Sequence, residues 1–211
     1  MALPLTRSTK TSHMSTVPEL RISPLDYLAR ERAASHKSEY YQGRMYAMAG
    51  ASPNHNRIVR NVLTHLDAQL KGGPCEIFPS HLRLSCPSGL MTYPDCQVIC
   101  GKLEYKIGTD DTVANPKVII EVLSKSTESY DRGQKFAFYR EIPTLQQYLL
   151  VAWQSPLIER FDRQSDQGWL LTEAKGLGSI MNLPVIGCTL PLSEVFRGVE
   201  FPALPIGLIG E

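Results

Sequence analysis

The run from Val118 to Leu123 constrains the fold more than any other part of the sequence. It reads Val-Ile-Ile-Glu-Val-Leu and is almost continuously apolar. A strand covered on both faces has this composition, whereas a strand with one face in solvent alternates apolar and polar residues. The sequence therefore predicts a central strand between two layers of structure. Glu121 is the one charged residue in the run, and a carboxylate there needs a partner or a metal ion.

Two serine–proline pairs carry the start signal of a helix. Ser23-Pro24 and Ser52-Pro53 each place a capping serine before a proline at the first helical position. Behind Ser52, apolar residues recur at helical spacing as far as Leu70. A further helix is predicted over 127–141 and a short one over 191–196.

Runs rich in aromatic and β-branched residues predict the strands. They cover 39–41 with 44–48, 76–84, 93–100, 117–123, 147–153, and 157–163 with 169–173. The other segments read as irregular. Because helices and strands alternate without a regular βαβ order, we expect an α/β protein of the α+β kind, with one mixed sheet and helices packed on it.

Charge and hydropathy exclude some classes of protein. Lys and Arg number 22 and Asp and Glu 21, a net charge of +1. This balance does not indicate a nucleic-acid binder, although a local basic groove can exist within a neutral total. No apolar stretch approaches the ~18 residues of a membrane span, and the first residues lack the apolar region of a secretory signal. We therefore expect a cytoplasmic protein that does not bind membranes.

The cysteines give a second indication of compartment. Their positions are Cys75, Cys86, Cys96, Cys100 and Cys188, and no two form a CxxC pair. An odd count without such pairs argues against a disulfide framework and against a zinc ribbon. Cys96 and Cys100 are expected to be small apolar residues of a strand, and the set fits a reducing cytoplasm.

A chain of 211 residues is long enough for one domain. Residues 1–18 are rich in Ser and Thr and lack periodicity, so we expect a disordered leader. The folded domain is expected over 19–200, and residues 201–211 form a tail rich in Pro and Gly.

Several catalytic signatures are absent from the sequence: GxSxG, HExxH, the P-loop and GxGxxG. Glu121 and Asp95 stand out instead. Two carboxylates on neighbouring strands would supply the oxygen ligands that Mg²⁺ takes together with water and substrate phosphate. Each also has an ordinary alternative, because Glu121 could lie on a half-exposed face or pair with a basic residue, and Asp95 could be a turn residue.

Lys135 is the candidate cation. It lies four residues after Asp131 on the predicted helix, so the two share a face, and Tyr139 continues the same stripe. One interpretation is a solvated ion pair on the helix surface. The other is that Lys135 reaches a metal-bound phosphate, because this helix follows directly from the strand that contains Glu121.

These segments together resemble the Uma2 family, restriction-endonuclease-like proteins that are common in cyanobacteria. The resemblance extends over about 22–197 and rests on 93–95, 116–124, 126–128, 131–135 and Tyr139, with 39–43, His55 and 148–151 in support. It implies the PD-(D/E)xK nuclease fold, a restriction-endonuclease-like αβββαβ core. The core would comprise the helix at 53–71, strands near 76, 95 and 119, the helix at 127–141 and the strand at 147–153. An N-terminal helix and hairpin and a C-terminal hairpin would flank it.

The resemblance also implies a role for each site residue. Asp95 and Glu121 would be the two catalytic acids, and they would bind Mg²⁺ or Mn²⁺ together with the carbonyl of Val122. The family pattern of the fold places a lysine two residues after the second acid, where this chain has Leu123. The resemblance therefore implies that the lysine lies on the following helix, at Lys135.

Two auxiliary roles follow from the same resemblance. Glu39 would orient water at the metal, and His55 would do the same or contact phosphate. As alternatives, Glu39 is an exposed acid of a hairpin and His55 an ordinary residue in the first turn of a helix.

The expected function is therefore that of a metal-dependent endonuclease that hydrolyses phosphodiester bonds in double-stranded DNA. One alternative is a protein of the nuclease fold that no longer cuts and serves as a nucleic-acid-binding or regulatory module. Another is a hydrolase of phosphoesters outside nucleic acids. We expect a homodimer, since a two-fold assembly presents two sites to two strands, with Leu157, Ile158 and Phe161 of the late hairpin at the contact.

Overall fold

The structure is a computed structural model, and it describes residues 21–202. The predicted leader, 1–18, and residues 203–211 of the predicted tail lie outside the described residues. No helix within 21–202 is both long and apolar enough to cross a membrane.

The elements follow one another in a mixed order. They are α1 (Pro24–Ala33), β1 (Ser38–Tyr41), β2 (Arg44–Ala47), α2 (Pro53–Leu70), β3 (Cys75–Pro79), β4 (Arg83–Ser85), β5 (Met91–Thr92), β6 (Cys96–Cys100), β7 (Thr112–Val113), β8 (Val118–Val122), α3 (Glu128–Tyr130), a π-helical turn (Asp131–Lys135), α4 (Phe136–Arg140), β9 (Gln147–Val151), β10 (Leu157–Arg163), β11 (Trp169–Lys175), β12 (Ile180–Leu183), β13 (Cys188–Pro191) and α5 (Leu192–Val195). A short 3₁₀ turn, Pro184–Ile186, links β12 to β13.

A six-stranded sheet in the order β11-β10-β9-β8-β6-β3 carries the core. Strands β8 and β9 are parallel, and the other neighbouring pairs are antiparallel. The expected αβββαβ core is present as α2, β3, β6, β8, the helix of α3 and α4, and β9. The fold class predicted from the sequence, α+β with a mixed sheet, is confirmed.

Strand β8 divides the interior into two apolar clusters. Its even-numbered residues, Val118, Ile120 and Val122, pack with the apolar side of α2, where Ile58 and Leu66 are fully buried. Ile119 on the opposite face packs with α4, β9 and neighbouring residues in a second cluster. Every residue of β8 is buried, as the apolar run predicts.

A five-stranded sheet in the order β2-β1-β5-β4-β7 lies beside the main sheet, whereas the sequence predicted a single sheet. Helix α1 packs on it through Tyr27 and Leu28, which meet Tyr40 and Met91 in a small apolar cluster. Both serine–proline helix starts are confirmed: Ser23 accepts a hydrogen bond from the Asp26 amide in a capping box. This sheet places β1, and with it Glu39, against the end of the central strands.

The predicted strand 76–84 is wrong as a single element. The chain leaves β3 at Pro79, turns, and re-enters as β4 in the other sheet. Pro79 has no amide N–H to continue a ladder, and its carbonyl accepts the His81 N–H at 2.7 Å in the turn. The predicted strand 93–100 likewise begins only at Cys96, after Pro94.

One disulfide contradicts the expectation drawn from the cysteine count. Cys75 and Cys100 lie opposite each other in the β3–β6 register and are bonded. Cys100 is therefore not simply a small apolar residue, whereas Cys96 is free and fully buried, as expected. The pairing depends on strand register, which cysteine spacing does not reveal. The cysteines therefore do not indicate a reducing compartment.

The C-terminal region contains two further corrections. The segment expected to be irregular forms the β12–β13 hairpin, turned at Gly187, whose φ of +65° suits glycine. Ile158, named above as a dimer contact, is fully buried in the chain's own core, and Leu157 and Phe161 are half-buried. The exposed apolar side chains of the late hairpin are Leu170 and Leu171, on β11.

Candidate active site

Asp95 and Glu121 come together because of strand register. Cys96 pairs with Ile120 across β6 and β8, so one residue further along Asp95 lies opposite Glu121. Residues directly opposite in an antiparallel pair project from the same face. The Glu121 carboxylate accepts a hydrogen bond from the Asp95 amide, with a distance of 3.2 Å from N to Oε2. The expected convergence of the two acids is present.

The Asp95 carboxylate is held from two sides. Its Oδ2 accepts the Val122 amide N–H at 2.8 Å and lies 3.1 Å from His55 Nε2. His55 reaches this point from the first turn of α2, where its amide donates to the capping Ser52 Oγ. Burial lowers the pKa of His55, but the hydrogen bond and charge of Asp95 outweigh this, so the net shift is upward. Asp95, His55 and Val122 therefore form one connected group.

Lys135 approaches from the helix that follows β8. The sequence predicted an uninterrupted helix, but Asp131–Lys135 forms a π-helical turn, a rare feature that often occurs at functional sites. The Lys135 ammonium lies 2.9 Å from Glu121 Oε1 and 3.3 Å from Asp131 Oδ1. Both Lys135 and Asp131 are buried. The interpretation of this pair as a solvated surface contact is wrong.

Glu121 is almost fully enclosed, with 3% of its surface exposed. Its Oε1 accepts hydrogen bonds from the Tyr139 hydroxyl at 2.7 Å and from Lys135. The pKa of Glu121 is raised to about 8: burial is the largest cause, Lys135 opposes it, and the charges of Asp95 and Asp131 add to it. Burial lowers the pKa of Lys135, but the surrounding carboxylates reverse this and the net shift is upward. Lys135 therefore remains a cation in the site.

Glu39 is the last acid of the site, and it lies on β1 of the five-stranded sheet. One of its oxygens accepts a hydrogen bond from the Thr92 hydroxyl, and the other accepts the Tyr130 hydroxyl at 3.0 Å. The distance from Glu39 Oε1 to Lys135 Nζ is 3.7 Å. Glu39 is buried, so it is not the exposed hairpin acid of the alternative interpretation.

All the predicted site residues line one cavity of about 1060 Å³. Asp95, Glu121 and Lys135 lie there with Glu39, His55 and Val122. The neighbouring wall includes Tyr41, Tyr46, Tyr130, Phe138 and Trp153, with residues 124–127 after β8. The cavity therefore combines a charged group of side chains with an aromatic surface.

The charges in this cavity are unbalanced. Four acidic side chains, those of Glu39, Asp95, Glu121 and Asp131, line the cavity with two lysines, Lys125 and Lys135, and Lys135 contacts three of the acids. Charges in a poorly solvated site interact more strongly than in water. A protonated His55 would offset one further negative charge, and a divalent cation would offset two.

Asp95 and Glu121 give the site two carboxylate donors on neighbouring strands. Among residues 21–202, no group of three or more His, Cys, Asp and Glu side chains is arranged to hold a metal ion. Asp95 and Glu121 offer two carboxylates, and Mg²⁺ is commonly bound by one or two carboxylates with water and substrate phosphate in the other positions. A zinc site would require three or four protein ligands, typically His or Cys.

Sequence reasoning missed several contacts at this site. It noted Tyr139 on the stripe of Asp131 and Lys135, a signal that could have identified it as the partner of Glu121. Thr92 and Tyr130 carry no comparable signal. Thr92 meets Glu39 through the pairing of β1 with β5, and Tyr130 reaches it from α3, so both contacts depend on elements far apart in the sequence. Trp153 follows β9 and was read simply as the end of a strand.

Comparison with known proteins agrees with this fold and arrangement. The family model described as "Uma2: Putative restriction endonuclease" matches residues 24–193. Two uncharacterized proteins of Synechocystis sp. (strain ATCC 27184 / PCC 6803 / Kazusa) are similar in sequence. The protein sll1609 is 40% identical over 156 residues, covering 74% of this chain and 88% of its own length. The protein slr1290 is 35% identical over 191 residues, covering 90% and 99%.

A solved structure has the same fold. It is the crystal structure of a "putative nuclease belonging to DUF820" from Anabaena variabilis ATCC 29413, with a TM-score of 0.67. The match covers 82% of this chain and 96% of that one at 15% sequence identity. At this identity the likeness extends to the fold and not to the reaction.

Proposed function

Because the chain belongs to the Uma2 family, we propose that it is a metal-dependent endonuclease that hydrolyses phosphodiester bonds in DNA. The observation that carries the proposal is the meeting of Asp95, Glu121 and Lys135 in one cavity. They come from three separate elements, and Lys135 Nζ lies 2.9 Å from Glu121 Oε1. Buried charged groups with shifted pKa values concentrate at functional sites.

Asp95 and Glu121, together with the Val122 carbonyl, would hold the metal ion. Mg²⁺ or Mn²⁺ bound there would supply Lewis-acid chemistry, polarising the phosphodiester and activating water. Asp95 is the more accessible acid, with 20% of its side chain exposed, whereas the Glu121 side chain is 4% exposed. His55 and the Val122 amide hold Asp95 in orientation, and the Tyr139 hydroxyl does the same for Glu121.

Lys135 provides positive charge where phosphodiester hydrolysis develops negative charge. A preorganised cation in a water-poor site stabilises that charge without reorganising during the reaction. Asp131 and Glu39 keep the ammonium at this position through contacts of 3.3 and 3.7 Å. They act on the reaction through Lys135 and are therefore positioning residues.

We further propose that the substrate is double-stranded DNA and that the active form is a homodimer. Two copies related by a two-fold axis would present one site to each strand. Strand β11 lies at the edge of the six-stranded sheet and exposes Leu170 and Leu171, which supports it as the contact in place of Leu157, Ile158 and Phe161. Light scattering at micromolar concentration tests this, and a monomer would contradict it.

Incubation with supercoiled plasmid tests the catalytic proposal. We expect nicked and linear products with Mn²⁺ or Mg²⁺, no products with EDTA, and none from Asp95→Asn. If the folded protein binds DNA without cutting it under every metal condition, the non-cleaving alternative replaces this proposal. If it cuts only small phosphoesters, DNA is not the substrate.

A further inference from the structure

We infer that the cavity accepts an unpaired nucleotide, whose base lies against Tyr46 and Trp153 while its phosphodiester reaches the acids. This inference rests on the proposed function and specifies the form of substrate that the site takes.

The acids lie at the bottom of the cavity and not on an open groove. With 3% of Glu121 and 5% of Lys135 exposed, a phosphodiester must descend into the cavity to meet both. A nucleotide in a paired duplex carries its opposite strand with it and cannot descend alone. A cavity of about 1060 Å³ is at the upper end of the ~300–1,000 Å³ that small-molecule sites occupy, which is ample for one nucleotide.

The hairpin of β1 and β2 turns two of its aromatic residues, Tyr41 and Tyr46, toward the cavity that holds the acids. Tyr46 lies directly opposite Glu39 in the hairpin register, so both project from one face. Tyr41, two residues after Glu39, lies on that face as well and packs against Phe138 with ring centroids 4.7 Å apart. Tyr46 lines the cavity yet remains 47% exposed. An exposed aromatic ring beside a phosphodiester-cutting site is the usual platform for a base of an unpaired strand.

Trp153 adds a donor that the described residues leave unused. Its indole N–H is buried and has no hydrogen-bond partner within the part of the chain that the structure describes. A buried unpaired N–H is unfavourable, and Trp153 lines the same cavity. A nucleobase offers a flat face for Tyr46 and carbonyl or ring-nitrogen acceptors, which the indole N–H would meet if the Trp153 ring turns toward the cavity.

Binding of short DNAs in Ca²⁺, measured by fluorescence anisotropy, tests the inference, with gels to verify that the DNA stays intact. The probes are a single-stranded oligonucleotide, its fully paired duplex and the same duplex with a central mismatched bubble. We expect the single strand and the bubble to bind about tenfold or more tightly than the paired duplex. Equal or tighter binding of the paired duplex would overturn the inference.

Three variants separate stacking from general DNA affinity. Tyr46→Ala should weaken binding of the single strand by about ten- to a hundredfold, the effect of losing one stacked base. Trp153→Phe keeps a ring and removes the N–H, and it should weaken binding by about three- to tenfold. Tyr105→Ala is the matched control, because Tyr105 is similarly exposed and lies outside the cavity lining. Binding by Tyr46→Ala at the parent affinity would overturn the inference.

The same experiment distinguishes the source of the nucleotide. Tight binding of both the bubble and the single strand supports a nucleotide drawn out of a duplex, whereas tight binding of the single strand alone supports single-stranded DNA. If Tyr46→Ala weakens DNA binding but the parent does not cleave plasmid, this inference stands and the proposed nuclease activity is refuted. If the parent cleaves plasmid but Tyr46→Ala binds DNA as tightly as the parent does, the nuclease activity stands and this inference is refuted.

Discussion

On one face of β8, Val118, Ile120 and Val122 meet α2 in a cluster of apolar side chains. On the other face, Ile119 and Leu123 flank Glu121, which meets Lys135 and Tyr139. Every residue of β8 is buried, on both faces of the strand. The first face needs only complementary shape, whereas the second needs a partner for each charge.

This difference separates stability from function along a single strand. A buried ion pair contributes little net stability, because desolvation of the charges opposes their attraction. The apolar face therefore stabilises the fold without the exact pairing of groups that buried charges require. We expect substitutions on the apolar face to change the free energy of unfolding and leave the cleavage chemistry intact, and those on the charged face to affect cleavage first.

The largest effect is expected from Asp95→Asn. The change keeps the shape of the side chain and an oxygen that can accept the Val122 N–H, but it removes the charge that would hold the metal. We expect the plasmid cleavage rate in Mn²⁺ to fall by on the order of a thousandfold or more. In thermal unfolding, Mn²⁺ should raise the midpoint of the parent and not that of this variant. A Mn²⁺-dependent rate close to that of the parent would contradict the assignment.

Lys135→Met should reduce both cleavage and stability. Removing the ammonium leaves the buried carboxylates of Glu121 and Asp131 unpaired, which typically costs about 3–5 kcal/mol in unfolding free energy. Cleavage should fall by about a hundredfold when compared at equal folded fraction. The unfolding free energy is measured by urea unfolding, monitored by circular dichroism. A loss of only ~0.5 kcal/mol would be the result for a surface residue and would contradict the burial of Lys135.

Tyr139→Phe should have a smaller effect. The ring and its packing against Tyr148 remain, and the hydrogen bond donated to Glu121 is lost. Hydrogen bonds to charged groups contribute ~1.5–3 kcal/mol, so above pH 8, where Glu121 is ionised, we expect a loss of stability in this range, measured by urea unfolding. Cleavage should fall less than with Lys135→Met, and a larger fall would mean that Tyr139 itself contacts the substrate.

The smallest effects on cleavage are expected from Ile120→Val and Ile119→Val, one on each face of β8. Each removes one buried methylene and should cost ~0.5–1.5 kcal/mol in unfolding free energy. At equal folded fraction we expect Ile120→Val to cleave at the parent rate. Ile119→Val provides the comparison on the face of Glu121. A tenfold loss in Ile120→Val would show that the apolar face also controls the chemistry.

Local signals predicted the helices and the central strand, because caps and periodic apolar residues act within a few positions. Glu121 was identifiable for the same reason, as a carboxylate in an apolar run. The pairing of Cys75 with Cys100 and the second sheet were not predictable in this way, since both depend on long-range register. The π-helical turn that contains Lys135 shifts hydrogen bonds without a residue signature of its own.

The contacts of the site divide in the same way, into those that the local sequence indicates and those that depend on long-range packing. Asp95 and Glu121 converge through neighbouring strands, which their sequence pattern indicates. Thr92 meets Glu39 because β5 pairs with β1, and Tyr130 meets it because α3 packs beside that sheet; no spacing in the sequence encodes either contact. Tyr46 lies on a hairpin that was predicted, although the position of Tyr46 beside the acids was not.

The cleavage rate of Glu121→Gln tests the central claim most directly, because in this variant activity and stability should diverge. The Glu121 pKa of about 8 lies above the ordinary 4.5, so the folded parent binds a proton that the unfolded chain has released. Stability of the parent in EDTA should therefore fall as pH rises from about 4.5 to about 8, and the glutamine variant should lose less over that range. We predict that the variant is folded at pH 8 and that its plasmid cleavage in Mn²⁺ is lower by on the order of a thousandfold. Cleavage by folded Glu121→Gln at the parent rate would contradict the account.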